Sequence, residues 1–252
     1  MKNKKLIVVF TTILIILSTT AIHLEALVPN IVGFKMGYTH NQLRGKETGA
    51  DLNIKKMATN GYAIGLVGNI KINSWLYFQP ELLYFQKGGR YDVQVPLPVQ
   101  IPGFQVNVID TRSLEYLEIP LLLKISLPLK LPVRPTFLTG MSFGLKLRGT
   151  LENKVNISIS GYQIPYIRTD DITSQLKLIE PSYVIGGGFD LDLGRSKMSI
   201  DQRFSFGLTT NDYETVIPTS YFQQIGIPVP QDIVYRIQMY NYVFKLAITF
   251  FF

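Results

Sequence analysis

Glu81 in FQPELLYF and Glu118 in YLEIPLLLK are carboxylates set in similar apolar runs. Two such groups can divide general-acid and general-base work when their surroundings separate their proton affinities. His40, the only histidine after His23, could activate a nucleophile if a serine and an acid stood beside it. Gly61, Gly65 and Gly68 in GYAIGLVG, and Gly186 to Gly188, have the look of phosphate cradles.

Each idea meets a physical objection. A phosphate cradle needs its glycines to open a helix. Both glycine groups fall instead in alternating runs, where glycine permits bending or close packing. Glu81 and Glu118 share a parity with cations such as Lys124, so ion pairing in a packed interior is the expectation. A lone histidine near the end of a strand reads as surface. The chain has no cysteine and no metal-ligand spacing. No catalytic residue, metal or cofactor is therefore expected.

The elements that position these residues alternate with period two. Eight segments do so: IVGFKMGYT, GYAIGLVGNIKI, WLYFQPELLYFQKGG, LEYLEIPLLLKISL, TFLTGMSFGLKLRG, SYVIGGGFDLDL, KMSIDQRFSFGL and YNYVFKLAITFFF. Short links (Asn73–Ser74, PLKLPVR, GRSK) alternate with long ones (His40 to about Asn60, Tyr91–Arg112, Leu151–Glu180, Thr210–Arg236). Antiparallel neighbours joined this way put every short turn at one end. That predicts an all-β, eight-stranded, antiparallel up-and-down transmembrane β-barrel with periplasmic turns and termini and long external links.

One parity is bulky and apolar. The other mixes Gly and Ser with Lys35, Glu81, Glu118, Lys124, Lys146, Arg148, Asp190, Asp192, Asp201, Arg203 and Lys245. An eight-stranded barrel is just wide enough for side chains to fill it. Charges inside must pair, because an unpaired buried charge costs several kcal/mol. The charged parity is therefore expected to line the lumen and the apolar parity to face lipid. Tyr38, Tyr62, Tyr84, Tyr183, Tyr240 and Tyr242 fall near the long-link ends, and Trp75, Phe137, Phe250 and Phe252 near the short-turn ends. Aromatic rings of this kind favour membrane interfaces. Pro80 and Pro120 sit mid-strand, where each removes a ladder hydrogen bond, so irregular pairing is expected at both.

Residues 1–26 carry Lys2, Lys4 and Lys5 and then an apolar run from Leu6 to Leu17. That run is too short to span a bilayer and reads as a signal peptide, cleaved between 21 and 26, leaving 27–252 as the barrel. The formal net charge of +7 includes the leader lysines. With no basic run or recognition motif, nucleic acid is not an expected partner.

The motifs GFKMGYT, FQPELLYFQKGG, YLEIPLLLK, GMSFGLKL, GGGFDLDL and RFSFGLTTN resemble the outer-membrane β-barrel family widespread in Bacteroidota, often labelled porin-family or PorT-like. The resemblance covers nearly all of the mature chain. It implies an eight-stranded barrel in the cell outer membrane, with outer-membrane lipid around it. It also implies an assembly signal at Phe252, with Phe250 and Ile248 at alternating positions before it, read by the barrel-assembly machinery.

The long links are rich in Ile-Pro. Pro98, Ile101, Phe104, Tyr162, Tyr166, Tyr221 and Phe222 are the candidates for contact with a protein or glycan partner. Such segments could extend as hairpins, accept a partner strand or fold over the mouth. The functional expectation is a monomeric barrel with a filled lumen and a structural or interaction role. The alternatives are a transport or secretion accessory and, further off, a lipid-modifying enzyme using His40.

Overall fold

The computed structural model describes residues 31–49, 53–94, 104–129, 132–159, 162–194, 196–217, 219–223 and 233–252. The expected leader lies outside the described residues, as do Pro98 and Ile101.

The strands are β1 (Ile31–Gly49), β2 (Asn53–Met57), β3 (Thr59–Lys71), β4 (Leu76–Gln94), β5 (Phe104–Ser126), β6 (Val133–Ile159), β7 (Tyr162–Asp171), β8 (Ile179–Asp192), β9 (Lys197–Gly207), β10 (Asn211–Ile217) and β11 (Ile233–Phe251). A short 3-10 turn covers Thr173–Gln175, and a five-residue helix, α1, covers Thr219–Gln223. Eight strands close a ring in the order β1-β3-β4-β5-β6-β8-β9-β11, and β11 pairs back onto β1 from Gly33↔Phe251 upward. All the neighbours are antiparallel, as the alternation of short and long links requires.

The short turns are built locally. Asn73 Oδ1 accepts hydrogen bonds from the backbone N–H groups of Trp75 and Leu76 at 2.9 and 2.8 Å. Gly194 takes the left-handed conformation (φ 84) that its turn requires. Pairing lapses where the mid-strand prolines remove a donor. On β3–β4 it runs from Val67↔Glu81 to Ile70↔Phe78 without the two positions between, one of them Pro80. On β4–β5 it runs from Pro80↔Leu121 to Leu83↔Glu118, skipping Pro120. Register is the same on either side of each lapse, so neither is a bulge. The register shift on β5–β6 lies elsewhere, between Glu115 and Tyr116, where Leu147 is the extra residue on β6.

Much of what reads as long irregular links is strand. β5 has 23 residues and β6 has 27, about twice what a tilted transmembrane strand needs. Beyond the ring the wall divides into two sheets, β2-β4-β5-β6-β7 and β1-β11-β10. Among the described residues no ladder joins β1 to β2 or β7 to β10.

The two parities face as expected. Leu66 and Phe204 on the outer wall are 53% and 48% exposed, whereas Lys35 and Arg203 are 0% and 1% exposed inside. Leu121 and Phe143 also face out. Inward glycines bring strands close: a Cβ added at Gly188 would overlap the carbonyl oxygen of Ile200 on β9.

Candidate functional site: the charged lumen and its mouth

The lumen is built by alternate residues of the ring, so each charge is aimed at the axis by its strand. Lys35 on β1 reaches Glu81 on β4 and Asp201 on β9, both at 3.0 Å. Arg203 grips Glu81 with both terminal nitrogens and lies against Asp201. Gln79 Nε2 donates to Glu81 Oε1 at 2.6 Å. Nearer the short turns, Asp190 accepts from Lys124 at 2.6 Å and from Ser199 at 2.8 Å. Toward the hairpin end, Glu118 accepts from Ser142 at 2.9 Å and pairs with Lys245 at 3.5 Å. Glu180 accepts from Lys87 at 2.7 Å and from Asn241 at 2.6 Å. Arg112 pairs with Asp110 at 2.9 Å.

Six cations (Lys35, Lys87, Arg112, Lys124, Arg203, Lys245) thus meet six carboxylates (Glu81, Asp110, Glu118, Glu180, Asp190, Asp201) inside the wall. Balanced pairing of this kind lets a dry interior hold ions, because each charge keeps a partner after losing water. Aromatic faces add to it: Lys87 Nζ lies 4.0 Å from the Tyr116 ring centroid and Lys245 Nζ 4.5 Å from that of Phe85. The space between the networks is filled by Leu83, Phe85, Leu122, Leu138 and Val184, all buried.

Three sequence-assigned lumen charges sit differently. Arg148 is exposed, not in the lumen. The extra residue at Leu147 reverses the parity of β6, which carries Arg148 outward and turns Gly149 and Leu151 in. Asp192 has the inward parity but stands at the short-turn rim, half exposed and 3.9 Å from Arg134. Lys146 points inward but among the described residues pairs with no carboxylate: its Nζ donates to the carbonyl oxygens of Thr173 and Leu176 at 2.8 and 2.7 Å.

Those carbonyls belong to a turn that closes on the mouth. Residues 172–178 pass from β7 to β8, both of which pair with β6. Ile172 and Leu176 are buried against Gly149. Thr173 Oγ1 accepts from Gly149 N–H at 2.9 Å, and Ile172 N–H donates to Gly149 O at 2.9 Å. Asp171 Oδ1 accepts from Thr173 N–H at 2.7 Å. Hydrogen bonds from the Thr173 side chain and backbone hold the exposed Asp171 carboxyl below its ordinary range.

Glu81 and Glu118 serve as ion-pair partners, though of Arg203, Lys35 and Lys245 and not of Lys124. His40 lies on the outer surface, its Nδ1 3.1 Å from Asn60 Oδ1. Among the described residues no three of His, Asp or Glu converge as metal ligands would. Ile248, Phe250 and Phe252 face outward on β11 and its end. Of the link candidates, Tyr166 is exposed on β7, Phe104 and Tyr162 open β5 and β7, and Tyr221 and Phe222 fall in α1. The sequence reading left Lys87, Arg112, Asp110 and Glu180 out of the ion-pair set. Lys87 stands six residues after Glu81 on the same parity, and Glu180 ends the stretch Leu151–Glu180 that reads as a long link.

No curated protein matches the chain. Among solved structures it is similar to Ail, the attachment invasion locus protein of Yersinia pestis, with 11% identity over 88% of this chain and 98% of Ail and a TM-score of 0.36. It is also similar to the outer membrane protein OprG from Pseudomonas aeruginosa (10% identity, 87% and 95% coverage, TM-score 0.40). A third likeness is to the outer membrane protease OmpT from Escherichia coli (8% identity, 89% and 97% coverage, TM-score 0.28). These superpositions are too loose to bear on what the chain does. A family model described as outer membrane protein beta-barrel domain matches residues 30–213. A closed eight-strand ring with a greasy exterior and a match across most of its length place the chain in one group: it belongs to the outer membrane protein beta-barrel domain family.

Proposed function

We propose that this outer-membrane barrel is a closed scaffold that works through the sheets it raises beyond the bilayer, not through its lumen. The observation that carries this reading is the lumen itself: Lys35, Glu81, Asp201 and Arg203 lock together on the axis at 0–2% side-chain exposure. A solute would have to break those pairs to pass. In this reading the leader is removed on export, the short turns and termini face the periplasm, and the two sheets stand outside the cell. There they contact a protein or glycan.

Purified protein in planar bilayers tests this. The closed scaffold gives no discrete conductance steps, and steps of uniform size would overturn it.

A second reading, an accessory of protein secretion, is favoured by the outer edges of β7 and β10. Among the described residues each pairs with one neighbour only, an arrangement that suits strand addition from a passing chain. The PorT-like motif resemblance points the same way. Deletion of the chain with measurement of secreted proteins separates the two: a secretion accessory leaves cargo trapped in the periplasm, and a surface scaffold leaves export intact.

A further inference from the structure

Across the apolar band the outer wall carries few polar groups. Thr139 and Tyr183 face out from β6 and β8 and satisfy each other, Oγ1 to OH at 2.8 Å. Gln202 is different. It faces out from the middle of β9, with Met198 and Ile200 toward the short turns and Phe204 and Phe206 toward the hairpins. Its lateral neighbours are Leu246 on β11 and Gly187 on β8. Its carboxamide makes no hydrogen bond among the described residues. Hydrocarbon offers such a group no partner, and leaving it unpaired is costly.

Gly187 puts no side chain beside it: the nearest atom a Cβ there would meet is the backbone carbonyl oxygen of Thr136, at 3.1 Å. The exposed Phe189 and Phe204 flank this position. A carboxamide is both donor and acceptor. Two copies related by a two-fold axis would therefore complete each other's hydrogen bonds through the same residue, with the glycine allowing close approach.

We propose that the β8–β9 face is a contact between two copies of this chain within the membrane, centred on a reciprocal hydrogen bond between their Gln202 side chains. This departs from the monomer that the sequence suggests, and it is independent of whether the lumen conducts.

The absence of cysteine makes the test direct. Q202C and, on the opposite wall, L82C are oxidised in native outer membranes. A disulfide-linked dimer at Q202C, in several-fold higher yield than at L82C, is the expected result. F189C then reports the same contact without altering the glutamine. It crosslinks in the parent background and loses most of that yield when combined with Q202L. Equal yields at Q202C and L82C, crosslinking of Q202C to a different protein or to none, or F189C crosslinking unchanged by Q202L, would each overturn the proposal.

Discussion

Arg203 on β9 holds Glu81 on β4 through two parallel hydrogen bonds of 2.9 Å, joining strands 122 residues apart in the chain. The bidentate geometry fixes both side chains, and Lys35 and Asp201 complete a neutral quartet around them. Replacing Glu81 by Gln leaves two buried cations facing one carboxylate. Removing one partner of a buried pair costs about 3–5 kcal/mol. Urea unfolding in lipid vesicles should show a loss of that size for E81Q. The double variant E81L/R203M, which leaves Lys35 and Asp201 paired, should lose clearly less than the sum of E81L and R203M.

The turn over the mouth depends on Lys146, whose ammonium holds the carbonyls of Thr173 and Leu176. Hydrogen bonds to a charged group contribute about 1.5–3 kcal/mol. In K146M the amides of 172–178 should exchange with deuterium faster than in the parent, while those of β4 and β5 in the ring stay protected. Unchanged exchange at the turn would show that Ile172 and Leu176 hold it without the lysine.

Asp171 gives the same turn a pH dependence. A carboxyl with a depressed folded-state pKa stabilises above its unfolded value and stops doing so as pH falls through the folded one. The unfolded value is about 3.9, so the hydrogen bond from Thr173 N–H to the Asp171 carboxylate should persist through neutral and mildly acid conditions. Exchange at Thr173 should rise only below that range. D171A, which removes the acceptor oxygen, should show the faster rate already at neutral pH.

Gly188 has backbone where a side chain would go: an added Cβ meets the Ile200 carbonyl oxygen and the Asp201 Cα. G188V should force β8 away from β9 and fail to assemble, seen as loss of the heat-modifiable folded band on gels. Val at Gly194, where nothing stands within 4 Å, meets no such clash. It costs only the strain of its positive φ, and the barrel should still form.

Period-two alternation made the ring legible, because each membrane strand has lipid on one side and a packed polar lumen on the other. The hairpin sheets were not legible, because beyond the bilayer both sides of a strand leave the constraint that writes the alternation. Glu180, at the start of β8, stayed hidden for another reason: it precedes the alternating run SYVIGGGFDLDL and ends the stretch Leu151–Glu180 that reads as a long link, although it pairs with Lys87. Arg148 was misplaced because one inserted residue at Leu147 reverses parity, and Leu147, following Phe143 and Leu145 at alternating positions, gives no sign of it. The partner of Lys146 could not be read at all, since backbone carbonyls become a cation site only once residues 172–178 have turned. The prolines were legible, because the missing donor of Pro80 and of Pro120 is a property of the residue itself.

The inside-out arrangement is tested most directly by single fluorophores at Leu121 and Phe143, which face outward from adjacent strands. In vesicles with bromine placed along the acyl chains, both should be quenched most strongly by bromine deep in the bilayer. The parent cysteines L121C and F143C should resist a water-soluble maleimide. Ready reaction with that maleimide, together with fluorescence indifferent to brominated lipid, would mean that the apolar parity faces inward and would contradict the barrel described here.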